Sequence, residues 1–146
     1  MSCSNAQTIT STSEGHVYCT GDNTFRQLGK YDTTENIIRK FTHLSFDQCV
    51  INVACGIGFS LFLTNESKVF AVGNNSTGNL GLGHKYASDI PLQVHSLRNI
   101  KVVSIEAGRH SAALSDLNEL FLWGPAGDPS KPFLDPYEVK SDKKVA

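Results

Sequence analysis

The chain has 146 residues, 40% hydrophobic and 18% charged, with 13 lysines and arginines against 14 aspartates and glutamates. That length suits about one domain, and the apolar content is enough to build a core, which excludes a disordered chain. A net charge of −1 argues against a general nucleic-acid or membrane-surface binder, and no apolar run is long enough to cross a bilayer as a helix. Residues 1–15 combine neither a basic start nor an apolar stretch, so the expectation is an intracellular chain, cytoplasmic or nuclear. Cys3, Cys19, Cys49 and Cys55 form no C-x-x-C pair and no metal-ligand spacing with histidine. They read as reduced thiols, and no metal or cofactor is expected.

In chain order, the first segment is residues 1–14, rich in serine and threonine. Thr8 and Thr12 return 52 residues later as Ser60 and Thr64, so this opening is predicted as a polar strand rather than a disordered tail. Residues 15–29, GHVYCTGDNTFRQLG, return as residues 67–81, SKVFAVGNNSTGNLG. Gly21 matches Gly73, Asn23 matches Asn75, Leu28 matches Leu80 and Gly29 matches Gly81. Residues 33–40, TTENIIRK, fit either a short helical turn or an irregular loop, and the loop is the preferred reading. Residues 50–56, VINVACG, return as VVSIEAG at 102–108, so Gly56 matches Gly108. One residue is then missing and the offset falls to 51: Phe59-Ser60 matches His110-Ser111, Thr64 matches Ser115, and Gly73 matches Gly124. Beyond Gly124, PAGDPSKPFLDP carries four prolines and cannot supply the same loop hydrogen bonds. Pro136-Tyr137-Glu138-Val139 faintly repeats Pro91-Leu92-Gln93-Val94, and Lys140, Lys143 and Lys144 are too few to predict DNA or phospholipid binding.

Each unit holds four short segments punctuated by Gly, Asn, Asp or Pro, which read as four strands. Val69-Phe70-Ala71-Val72 and Leu120-Phe121-Leu122-Trp123 are apolar at every position, whereas a half-solvated strand alternates. Both faces of these strands are therefore expected to be covered, as in a blade stacked between blades. The expected fold is all-β, a partial β-propeller of about two to three four-stranded antiparallel blades. Residues 73–83, GNNSTGNLGLG, with Gly78 among their glycines, suit a compact loop containing several left-handed residues. Arg26 stands where the second unit has Gly78, so the first loop must differ or strain. No Lys-Ser/Thr follows these glycines and no helix succeeds them, which argues against a phosphate-cradling loop.

His110-Ser111 with Asp116 nearby invites a hydrolytic triad. Yet the other units place Phe59 and Gln7 at the His110 position, the tolerance of a packing or hydrogen-bonding slot. Trp123 stands where they have Thr20 and Val72 and reads as core rather than as a binding residue. No catalytic, cofactor-binding or metal-binding residue is predicted, and the chain is expected not to be an enzyme. The positions singled out are structural ones of the repeat.

These stretches, with VACGIGFSLFLT, PLQV, IEAGRHSAALS and ELFLWG, resemble the regulator of chromosome condensation repeat family over residues 6–124. Kelch repeats have a similar period, but this chain contains no Gly-Gly doublet. The resemblance implies tandem propeller-type repeats over residues 1–124: a first partial repeat at about 1–14, repeats starting near 15 and 67, and a third from about 119. Residues 125–146 then form a degenerate proline-rich continuation and tail. It also implies a non-catalytic protein-interaction or scaffold module, whose partner is another protein or the remaining blades of a propeller. The alternative it permits is guanine-nucleotide exchange on a Ran-like small GTPase, which works by distorting the nucleotide site and needs no acid or base. The family's rings have about seven blades, and 146 residues hold fewer than three at this period. The ends of the stack are thus expected to expose two apolar sheet faces, to be covered by more chain or by a partner.

Overall fold

The computed structural model describes residues 1–4, 6–30, 33–125 and 131–140, so the basic tail beyond Lys140 lies outside the described residues. Three four-stranded antiparallel sheets follow one another along the chain. The first contains β1 (Ser2–Cys3), β2 (Gln7–Ser11), β3 (Val17–Asp22) and β4 (Ile37–Leu44). The second contains β5 (Val50–Cys55), β6 (Phe59–Thr64), β7 (Val69–Gly73) and β8 (Ser88–Gln93). The third contains β9 (Val102–Ala107), β10 (Ser111–Ser115), β11 (Leu120–Gly124) and β12 (Phe133–Glu138). Among the described residues the helical element is a single 3-10 turn, His95–Leu97, between β8 and β9.

Residues 33–40 are neither a helical turn nor wholly a loop, because strand β4 begins at Ile37. Ile38 pairs opposite Gly21 and is buried, while Ile37, Arg39, Lys40 and Phe41 face outward. A rim strand this exposed has little apolar alternation to announce it. The hydroxyl-rich opening is a strand, as expected, in β2.

The repeat is written in the pairing register. Phe70 pairs with Gln93 and Ala71 with Leu92 in the second sheet; Phe121 pairs with Glu138 and Leu122 with Tyr137 in the third. The hairpins that join second to third strands also agree. Thr12, Thr64 and Ser115 accept hydrogen bonds on their hydroxyls from the N–H groups of His16, Lys68 and Glu119 at 3.2, 3.2 and 3.1 Å. In each, the residue two before the start of the returning strand is left-handed: Gly15 at φ 87°, Ser67 at φ 62° and Asn118 at φ 62°.

The core lies between sheets rather than within one. Ile9, Cys19 and Leu28 of the first unit meet Val53, Phe62 and Val72 of the second. Leu61, Leu63 and Leu80 of the second meet Ile105, Ala113 and Trp123 of the third. Strand β6 is buried at every position, because it has a sheet on either side.

The outer faces depart from expectation in two ways. β11 is covered on one face only: Trp123 is buried, but Leu120 is 38% exposed, since among the described residues no further sheet packs on the third. The outward face of the first sheet is not apolar, for Thr8 pairs opposite Thr20 and Thr10 opposite Tyr18. The stack therefore has one polar end and one apolar end.

Candidate functional site

The positions singled out by the repeat gather in the long loops after β3 and β7 and in the seams between sheets. Asn23 and Asn75 are fully buried inside those loops. The Asn75 side-chain oxygen accepts the Leu80 N–H at 3.0 Å, and its amide donates to the carbonyls of His84 and Tyr86 at 2.7 and 2.9 Å. Asn23 accepts the Leu28 N–H and donates to the Glu35 carbonyl, both at 3.3 Å. A short side chain carrying both an acceptor and donors satisfies backbone groups that the loop would otherwise bury unpaired. Leu28 and Leu80 are thereby directed into the two cores.

Asp22 and Asn74 open the loops alike, their Oδ1 atoms accepting the N–H groups of Thr24 and Ser76 at 2.9 Å. The Thr24 hydroxyl on Asp22, outweighing desolvation, holds that carboxyl below the ordinary aspartate range. Arg26 takes φ 60° where Gly78 takes 77°, so the first loop keeps its shape and carries the strain instead. Its guanidinium donates to the carbonyls of Asn23 and Glu35 at 3.2 and 3.1 Å. Gly29 and Gly81 close the loops, while Gly73 and Gly124 end β7 and β11 and Gly21 is the next-to-last residue of β3, with φ of 114°, 105° and 107°. At Gly73 a Cβ would lie 2.5 Å from the Gly58 carbonyl oxygen, so glycine is required by space as well as by φ. Gly56 is packed so that a Cβ would meet the Phe59 ring, whereas Gly108 stands in open space.

Across the seams, each sheet completes the loop of the sheet before it. Ser60 on β6 donates its hydroxyl to the Gln27 carbonyl at 2.6 Å, and Ser111 on β10 donates to the Asn79 carbonyl at 2.7 Å. Gln7 donates from Nε2 to the Ser60 hydroxyl at 2.9 Å and to the Phe59 carbonyl at 3.0 Å. Trp123, in the core as expected, adds a bond from its indole N–H to the Asn79 carbonyl at 2.8 Å. The serines stood out in the sequence, but their acceptors are backbone carbonyls and leave no side-chain signal.

His110 is a correction. It is exposed, whereas Gln7 and Phe59 at the matching position are buried, because the turn before β10 is one residue shorter. It is no packing slot. Nor do His110, Ser111 and Asp116 form a triad: the Ser111 hydroxyl is committed to Asn79, and Asp116 lies past the far end of β10, 3.9 Å from Lys101. Burial pushes the Cys55 thiol up, and its Sγ donates to the Ser2 carbonyl at 3.3 Å. Among the described residues no group of three or more His, Cys, Asp or Glu is placed to hold a metal, and no helix is long and apolar enough to cross a membrane.

The regulator of chromosome condensation (RCC1) repeat matches residues 14–63 and 66–114, and a second form of the same repeat matches residues 50–79. The chain belongs to this repeat family. An RCC1 repeat here straddles two sheets: residues 14–63 hold β3 and β4 of the first together with β5 and β6 of the second. Over 135 residues the chain is 35% identical to human probable E3 ubiquitin-protein ligase HERC6, covering 85% of this chain and 12% of that protein. Over 131 residues it is 32% identical to the human RCC1-like G exchanging factor-like protein, covering 85% and 28%. The crystal structure of Prp20p from Saccharomyces cerevisiae superposes with a TM-score of 0.81 at 19% identity, over 97% of this chain and 38% of that one. The chain thus spans a minor part of each relative's length. Its three sheets are blades of a partial β-propeller.

Proposed function

We propose that this chain is a non-catalytic protein-interaction and scaffold module, acting within a larger set of RCC1 blades inside the cell, in cytoplasm or nucleus. The observation that carries this reading is the outward face of the third sheet. Ala112 pairs with Leu122 and Leu114 with Leu120 in the register that pairs Leu61 with Ala71 and Leu63 with Val69 in the second. In the second sheet those four side chains are buried against the third; in the third Ala112, Leu114 and Leu122 are only half-buried and Leu120 is exposed. A contiguous apolar sheet face is a docking surface, and a further blade, from more chain or from another polypeptide, fits it. Sedimentation of the chain tests this. Self-association, or capture of an added blade, is expected; a clean monomer of 15.9 kDa that melts cooperatively overturns it.

The second reading is guanine-nucleotide exchange on a Ran-like small GTPase, favoured by the likeness to the RCC1-like G exchanging factor-like protein. A nucleotide-release assay separates the two, since a scaffold leaves release unchanged and an exchange factor accelerates it.

A further inference from the structure

The fourth strand of each sheet is an outer edge, and all three carry the same irregularity. Between the pair Cys19 with Thr42 and the pair Gly21 with Ile38, Thr20 alone stands opposite Arg39, Lys40 and Phe41. Val72 likewise stands opposite Asp89, Ile90 and Pro91, and Trp123 opposite Leu134, Asp135 and Pro136. Phe41 therefore takes the place that proline holds in β8 and β12. Proline has no N–H, so the ladder inside a blade does not use the N–H at this place. Phe41 supplies one, a donor that its own sheet leaves unclaimed.

Prolines and charges on a rim strand blunt it against pairing with another chain. The bulges of β8 and β12 each hold a proline and one acid; that of β4 holds two cations, no acid and no proline. β4 also runs for eight residues against six in each of the others, and its Ile37 and Phe41 are 53% and 57% exposed. A groove of about 300 Å³ follows this edge, lined by Glu35, Ile37, Ile38, Arg39, Lys40 and Thr42. Two further cations border it: the Arg26 guanidinium donates to the Glu35 carbonyl at 3.1 Å, and the Lys30 ammonium to the His43 carbonyl at 3.4 Å. Arg39 and Lys40 make no ion pair among the described residues. The carboxylates nearby are Asp22, bonded to Thr24, and Glu35, fewer than the cations. Such an edge templates an extended strand through main-chain hydrogen bonds, and its cations favour one that carries carboxylates. A second copy of this chain does not supply that strand. Its β8 and β12 are closed by proline, and β4 against β4 brings like charges together.

We propose that the free edge of β4 is a strand-addition site for an extended, acidic segment of a partner polypeptide. The site lies on the rim of the first blade and stands or falls apart from the face of the third sheet, which sedimentation tests. The probe is a blocked hexapeptide of alternating valine and glutamate, titrated into the full chain, with a lysine-for-glutamate peptide as the control. Saturable binding is expected, with hydrogen exchange at the Phe41 amide slowed about tenfold or more at saturation, because a main-chain bond must open before exchange. The lysine peptide is expected to bind about tenfold more weakly. Phe41→Pro gives β4 the residue that β8 and β12 carry, so the chain is expected to fold and to bind the glutamate peptide about tenfold more weakly. Arg39→Glu combined with Lys40→Glu, both at exposed positions, is expected to fold and to reverse the preference between the two peptides. Absence of saturable binding, equal affinity for the two peptides, or an unslowed Phe41 amide overturns the proposal. So does a Phe41→Pro chain that folds and binds as before, or a doubly substituted chain that still prefers glutamate.

Discussion

In the hairpins after β2, β6 and β10 the same backbone position is left-handed, yet it is occupied by Gly15, Ser67 and Asn118 in turn. An L side chain there costs about 1–2 kcal/mol, partly relieved for asparagine by local hydrogen bonding. Ser67→Gly is expected to raise stability by roughly 0.5–1 kcal/mol after the added freedom of the unfolded chain is counted, and Asn118→Gly by less; urea melts measure both. The signal was present in the alignment of Gly15 with Ser67, but a conformational requirement met by three different residue types does not look like one. A second residue-scale effect is acidic. The folded-state pKa of Asp22 is depressed, so its contribution is present above the unfolded value of about 3.9 and is lost as pH falls through the lower folded value. Asn74 shows that an amide oxygen can hold the same turn without charge. Asp22→Asn is therefore expected to flatten the loss of stability between about pH 5 and pH 2, read from melts across that range.

At the scale of elements, the seam hydroxyls offer a graded comparison. Removing the Ser60 hydroxyl takes that donor from the Gln27 carbonyl and an acceptor from Gln7, whereas the Asn79 carbonyl keeps the Trp123 indole when Ser111 is truncated. Ser60→Ala is expected to cost about 2–3 kcal/mol and Ser111→Ala about 1 kcal/mol in denaturant unfolding. Reversed order would show that the indole does not share the load. Strand existence was largely legible, because β6, β7 and β11 are apolar enough to demand burial. β4 was not, because its outward residues are solvated and its pairing with β3 is decided by backbone register. His110 was misread for a related reason: alignment assigns it a column, but the deleted residue changes the turn that decides where its side chain goes.

For the whole molecule, the period of the sequence was sufficient to read stacked four-stranded sheets, since a sheet apolar on both faces is stable only between neighbours. The difference between the two ends was less visible. Thr8, Thr10 and Thr20 fall in the columns of Ser60, Phe62 and Val72, and a comparison of columns blurs a polar member into an apolar set. The apolar end makes a direct prediction. Leu120→Glu, at a position already 38% exposed, is expected to reduce self-association in sedimentation while shifting the melting temperature little. Lost folding instead would mean that Leu120 supports its own blade.

The serine that reaches backward across each seam also gives the array a direction of dependence. A loop made by one unit has its Gln27 or Asn79 carbonyl bonded only when the following unit arrives, so local order is handed down the chain with a delay of one blade. Cutting such an array anywhere would loosen the blade left standing before the cut, as well as removing the one after it.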